Sequence, residues 1–101
     1  MMRHFLKALL VVSIVILLGA CAAAPVQEMS DARQAVTAAA EAGASQYAGE
    51  SLNSAQTLLD SAESKLEEHL FTGARRDAEA ARAEALEALR ITLEAKGEAA
   101  E

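Results

Sequence analysis

Residues 50–68 read ESLNSAQTLLDSAESKLEE. Leu52, Ala55, Leu59, Ala62 and Leu66 recur at spacings of 3, 4, 3 and 4, and Leu58 widens the stripe. That period lines one face of an α-helix, with serine and charged residues filling the other face. A half-buried strand would alternate every second residue, and no stretch from Ser30 onward does so or is rich in β-branched or aromatic residues. The fold class is therefore all-α, with a helix over Glu50–Glu68 at its centre.

Upstream, Met29, Ala32, Val36, Ala39 and Gly43 repeat the same spacing. They predict a helix over Asp31–Ala42 with Ser30 as its N-cap. Residues 43–51, GASQYAGES, place two glycines and two serines between the helices and read as a turn. Downstream, residues 69–74, HLFTGA, interrupt the pattern, with Thr72 as the next N-cap and Gly73 a poor interior residue. A further helix follows over Ala74–Lys96. Its stripe opens with Ala74, Ala78, Ala81 and Ala85 and closes on Leu86, Leu89 and Leu93. Gly97 is the expected stop, and residues 98–101 the frayed tail. The alternative is one continuous helix over residues 50–96, since Gly73 alone interrupts it.

The N-terminus has a different composition. Residues 1–7 carry Arg3 and Lys7 and no acid, and residues 8–18, ALLVVSIVILL, are apolar except for Ser13. A charged start, a short apolar run and a small-residue exit describe a secretory signal peptide over residues 1–20. A spanning helix needs about 20 apolar residues. The run reaches that length only by including Lys7, Ser13 and weakly apolar alanines, and an uncleaved single-pass inner-membrane anchor is the alternative reading. Leu18-Gly19-Ala20-Cys21 resembles the bacterial lipobox, and Cys21 is the only cysteine of the chain. The resemblance implies diacylglycerol transfer to the Cys21 sulfur, cleavage between Ala20 and Cys21, and N-acylation of the new terminus. One acyl chain holds a protein marginally and two or more hold it stably. The partner implied is then a membrane, engaged through acylated Cys21. Ala22, where an aspartate would retain the protein at the inner membrane, implies outer-membrane sorting in a Gram-negative envelope.

Residues 21–29 then form a lipidated tether, with Pro25 disfavouring helix at Ala24. The eight residues 22–29 reach about 3.5 Å each, which keeps the helical domain of residues 30–97 within roughly 30 Å of the lipid. The 81 residues from Cys21 onward carry seven basic and 15 acidic side chains, a net charge of −8. Nucleic acid is excluded as a partner because phosphate binding needs a basic surface. Leu, Ile, Val and Phe make up 12 of those 81 residues. Alanine stripes let helix backbones approach but bury little area each, so the helices are marginal alone. The architecture expected is a helical hairpin or a three-helix arrangement, completed by an unknown envelope protein or by self-association.

No motif for catalysis, cofactor or metal is present. There is no phosphate-binding loop or nucleophile elbow, and the two histidines, His4 and His69, form no ligand cluster. Glu67 and Glu68 are helix neighbours that point apart. Arg75 and Arg76 are expected to pair with nearby acids such as Glu79, and Tyr47 and Phe71 to plug the core. Function as a non-enzymatic helical module follows.

Residues 32–92 resemble a family of small alanine-rich bacterial lipoproteins catalogued as domain of unknown function 4398. The shared features are Ala32-Arg33 before a run of alanines, AGASQYA at 42–48, LLDSAESKL at 58–66 and GARRDAEAARAEA at 73–85. The resemblance implies a tetratricopeptide-style helical hairpin and brings no catalytic residues. Some members carry a fused peptidoglycan-binding domain, which implies work in the cell envelope. Two positions depart from the pattern. Gly49 stands where proline is preferred, and His69-Leu70-Phe71 where a Gly-Asp-aromatic turn is usual. A self-associating coiled-coil spacer, like the lipoprotein joined to peptidoglycan through a C-terminal lysine, is the competing structural role. Here Glu101 ends the sequence and Lys96 lies five residues before it.

Overall fold

The computed structural model describes residues 1–21 and 23–100, with the side chains of 17–21, 99 and 100 left undescribed. It is all-α, and no strand occurs among the described residues. Five helices follow in order: α1 Met2–Cys21, α2 Val26–Ala42, α3 Ala44–Tyr47, α4 Gly49–Glu67 and α5 Phe71–Ala100. Of the two architectures expected, the three-helix arrangement is the one formed. α5 packs along both α4 and α2. Ser61 and Lys65 of α4 meet Asp77 of α5, while Leu52 and Ala55 share a cluster with Ala85 and Ala88, so α4 and α5 are antiparallel. Glu28 meets Arg75, and the Ala42 carbonyl meets Lys96, so α2 runs parallel to α5.

The core has two patches. Met29, Ala32, Ala62, Ala78 and Ala81 fill the end at which α2 begins. Ala35, Val36, Ala39, Ala44, Ala48, Leu52, Ala55, Ala85 and Ala88 fill the other. Leu58, Leu59 and Leu66 pack beside them half-buried. The α2 and α4 stripes thus face inward as their spacing predicts. On α5 the seam is Ala74, Ala78, Ala81, Ala85, Ala88 and Thr92, all fully buried. It keeps the 4, 3, 4, 3, 4 spacing to its end. The expected switch to a leucine seam does not occur: Leu86 is 42% and Leu93 55% exposed, and only Leu89 packs against the core. Alanines bring the axes close, and a leucine on the seam line would hold them apart.

The helix boundaries correct several expectations. α2 begins at Val26, not Asp31, because the Pro25 carbonyl already accepts the Met29 N–H at 3.0 Å and Met29 is buried beneath the first turn. Ser30 is therefore no cap, and its hydroxyl instead accepts from Gln34 within the helix. The tether shortens to the few residues before Val26. The 43–51 turn contains α3. Gly43, at φ 104°, closes α2 by donating to the Ala39 and Ala40 carbonyls, and its own carbonyl accepts from Gln46 and Tyr47. That left-handed backbone suits glycine and strains residues with a Cβ. At the other end α5 runs through Gly97 to Ala100, since a single interior glycine costs only about 1 kcal/mol against alanine.

The break between α4 and α5 is real, so residues 50–96 are not one helix. The Leu70 N–H reaches the Lys65 carbonyl at 2.8 Å and the His69 N–H reaches Leu66 at 3.1 Å, the two bonds of a Schellman closure. His69 occupies its left-handed position at φ 63°. α5 then starts at Phe71, with the Leu70 carbonyl accepting from Ala74, so Thr72 is no cap and Gly73 lies inside the helix. A Cβ on Gly73 would come within 3.2 Å of the Lys65 side chain, which crosses there. Left-handed backbone costs an L-residue other than glycine about 1–2 kcal/mol. His69→Gly is accordingly expected to stabilise the protein by about 0.5–1 kcal/mol after glycine's extra unfolded-state entropy is subtracted. Thermal unfolding followed by circular dichroism checks this, and an unchanged or lower midpoint would contradict it.

Candidate functional site

Leu18, Gly19, Ala20 and Cys21, the residues that resemble a lipobox, form the last turn of α1. Their side chains lie outside the described residues, so the structure gives them no contacts. Among the described residues α1 packs against no other helix, and its large apolar side chains from Met1 to Ile16 stand exposed. No helix there is long and apolar enough to cross a membrane.

Beyond Cys21 the chain is tied to the bundle rather than left loose. Arg75, in the first turns of α5, uses its guanidinium twice. Nε donates to Glu28 Oε1 on α2 at 3.2 Å, and Nη2 donates to the Ala23 carbonyl at 3.2 Å. Arg75 therefore pairs with Glu28, 47 residues away, and not with Glu79 as local spacing suggests. A partner across the bundle leaves no trace in helix periodicity. Val26, next to this clamp, is 72% exposed, and Leu70 in the α4–α5 turn is 52% exposed.

Two residues further along α5, Asp77 Oδ2 accepts from both Lys65 Nζ and Ser61 Oγ at 2.6 Å. The Lys65 hydrogen bond first, then the Ser61 bond, holds the Asp77 carboxyl below its ordinary value of 3.8. A depressed folded pKa contributes stability that is complete above the unfolded value and is lost as pH falls from there through the folded value. The protein is expected to lose more thermal stability than Asp77→Asn between about pH 6 and about pH 3, and parallel losses in the two proteins would refute the pairing.

The remaining candidates are surface features. His69 is exposed and meets the Phe71 ring edge-on at 5.7 Å. Phe71 is half-buried and Tyr47 exposed, so neither plugs the core as expected. Large aromatics have no room where helix axes are spaced by alanine. Thr92, unremarked in the sequence, is fully buried and donates to the Ala88 carbonyl at 2.7 Å. Its spacing of four from Ala88 was the available signal. Among the described residues there is no cavity and no group of three or more potential metal ligands.

What the geometry defines is an all-α, alanine-seamed three-helix module with a clamped N-terminal tether. The chain belongs to the family described as Domain of unknown function (DUF4398), whose model matches residues 27–101, from the first turn of α2 onward. No curated protein and no solved structure matches it.

Proposed function

We propose that this protein is a lipid-anchored lipoprotein of a bacterial envelope. In this reading it is held by acylated Cys21 at the periplasmic face of the outer membrane and works as a non-enzymatic interaction or scaffold module. The observation that carries the reading is the division of the chain at Cys21. Before it lies an apolar helix that, among the described residues, is exposed and packs on no other helix, and that ends in Leu-Gly-Ala-Cys; after it a self-contained bundle begins within five residues. Family membership over residues 27–101, which excludes α1, supports treating α1 as separable. Mass measurement of the N-terminus of protein taken from membranes tests the reading. A chain beginning at an acylated Cys21 supports it, and an unmodified chain beginning at Met1 would favour an uncleaved inner-membrane anchor. Mild crosslinking before extraction tests the interaction role, and recovery of monomer alone would count against it.

A second reading, a self-associating spacer, is favoured by Leu86 and Leu93 standing exposed seven residues apart on α5. A heptad-spaced apolar pair suits a helical seam with another copy. Sedimentation of the protein is then expected to report an oligomer that dissociates in Leu86→Ala/Leu93→Ala. A concentration-independent monomer in both would remove this reading.

A further inference from the structure

We infer that the end of the bundle bearing the tether is itself a lipid-contacting tip, with Val26 and Leu70 entering the headgroup region beside the acylated Cys21. This rests on the lipid-anchor reading and adds an orientation to it. Arg75 fixes Ala23 to α5 while holding Glu28 of α2. Cys21 lies two residues before Ala23, and at 3.8 Å per residue its Cα can stand no more than about 8 Å from that clamped point. The acyl chains must therefore leave from this end of the molecule. The same end exposes Val26, at the first turn of α2, and Leu70, at the α4–α5 closure, with half-buried Phe71 following it.

Charge favours the same orientation. At the tip Glu28 and Asp77 are neutralised by Arg75 and Lys65. That leaves Arg76 against Asp31, Glu67 and Glu68, so the tip carries a net charge of only −2. The rest of the chain after Cys21 carries four basic and ten acidic residues, a net charge of −6. A surface of anionic lipid repels that acidic body over about a Debye length and tolerates the tip. The anchor supplies the affinity, and the two apolar side chains need only bias which face meets the lipid.

The chain has no tryptophan, so single-tryptophan variants report position directly. Full-length acylated Leu70→Trp, Val26→Trp, Ser45→Trp and Leu86→Trp proteins would be placed in phosphatidylethanolamine–phosphatidylglycerol vesicles containing brominated lipid. Quenching is expected to be several-fold stronger at positions 70 and 26 than at 45, which lies at the opposite end, and than at 86. Weak, equal quenching at all four positions, in protein shown by mass to be acylated, would overturn the tip while leaving the anchor standing. Strongest quenching at position 86 would also overturn it, because the bundle would then lie flat on α5. Absence of acyl chains on membrane-derived protein would overturn the anchor and the tip together. Helicity of each variant by circular dichroism confirms that the comparison is between folded proteins.

Discussion

Ala81→Leu is expected to lower the unfolding midpoint by about 10–20 °C, although it adds apolar surface to a chain short of it. Ala81 is fully buried in the patch formed with Met29, Ala32, Ala62 and Ala78, where α5 meets α2 and α4 together. The three extra carbons would have to enter a position that is already 0% exposed and packed against residues of all three helices. They must either take an off-rotamer conformation or push α5 away from both neighbours. Overpacking of this kind costs about 1–3 kcal/mol. A domain of this size shifts by about 4–8 °C for each kcal/mol. Separating the helices would also open the neighbouring Ala62 and Ala78 contacts, which places the cost at the upper end of that range. Leu86→Ala, five residues on, removes the same three carbons from an exposed position and should change stability by less than about 0.5 kcal/mol. A ranking by hydrophobicity alone predicts the opposite order, so thermal melts of the two variants decide between them. A midpoint that rises in Ala81→Leu would mean that the alanine seam is not close-packed.

The same contrast explains which parts of the fold were legible in the sequence. Wherever the heptad-like spacing was followed strictly, the inward face was found: Met29 to Ala39 on α2 and Leu52 to Leu66 on α4. On α5 the larger residues at 86 and 93 suggest a core that the spacing itself denies, and geometry prevails over side-chain size. Boundaries were harder because their causes are not local. Pro25 reads as the end of a tether, yet its carbonyl opens α2 because Met29 finds a buried seat. The α4–α5 closure has no glycine or proline at its left-handed position, and His69 accepts the strain in a turn that the flanking helices over-determine. Of the candidate site, Cys21 and the residues that resemble a lipobox can be read in the sequence because they form a linear pattern. The Arg75 clamp on Glu28 and Ala23 was not, because it joins residues that only the folded bundle brings together.

If the proposed lipid anchor is right, Cys21→Ser is expected to abolish membrane retention of the module beginning at residue 21, and the size of that effect follows from the acyl chains removed. Each buried methylene contributes about 0.8 kcal/mol, and one acyl chain gives only reversible binding, whereas two or three hold a protein for good. Serine offers no thiol for diacylglycerol transfer, so all chains are lost together. Nothing else in the described module replaces them. Among the described residues after Cys21, Val26 and Leu70 are the large apolar side chains exposed at this end, and two such residues orient a protein without holding it. The body's acidic excess opposes adsorption to anionic lipid. The experiment needs one control, because α1 is apolar and could retain an unprocessed chain by itself. Residues 1–20 are therefore exchanged for a cleavable secretory signal that lacks a lipobox, with serine or cysteine at position 21. Both proteins should appear in the soluble periplasmic fraction without acyl mass. The native sequence should remain in the membrane fraction, beginning at Cys21 and heavier by its lipid. If Cys21→Ser behind its native residues 1–20 is processed and still sediments with membranes as fully as the native protein, retention belongs to the helical module. The lipid at Cys21 would then not be the anchor.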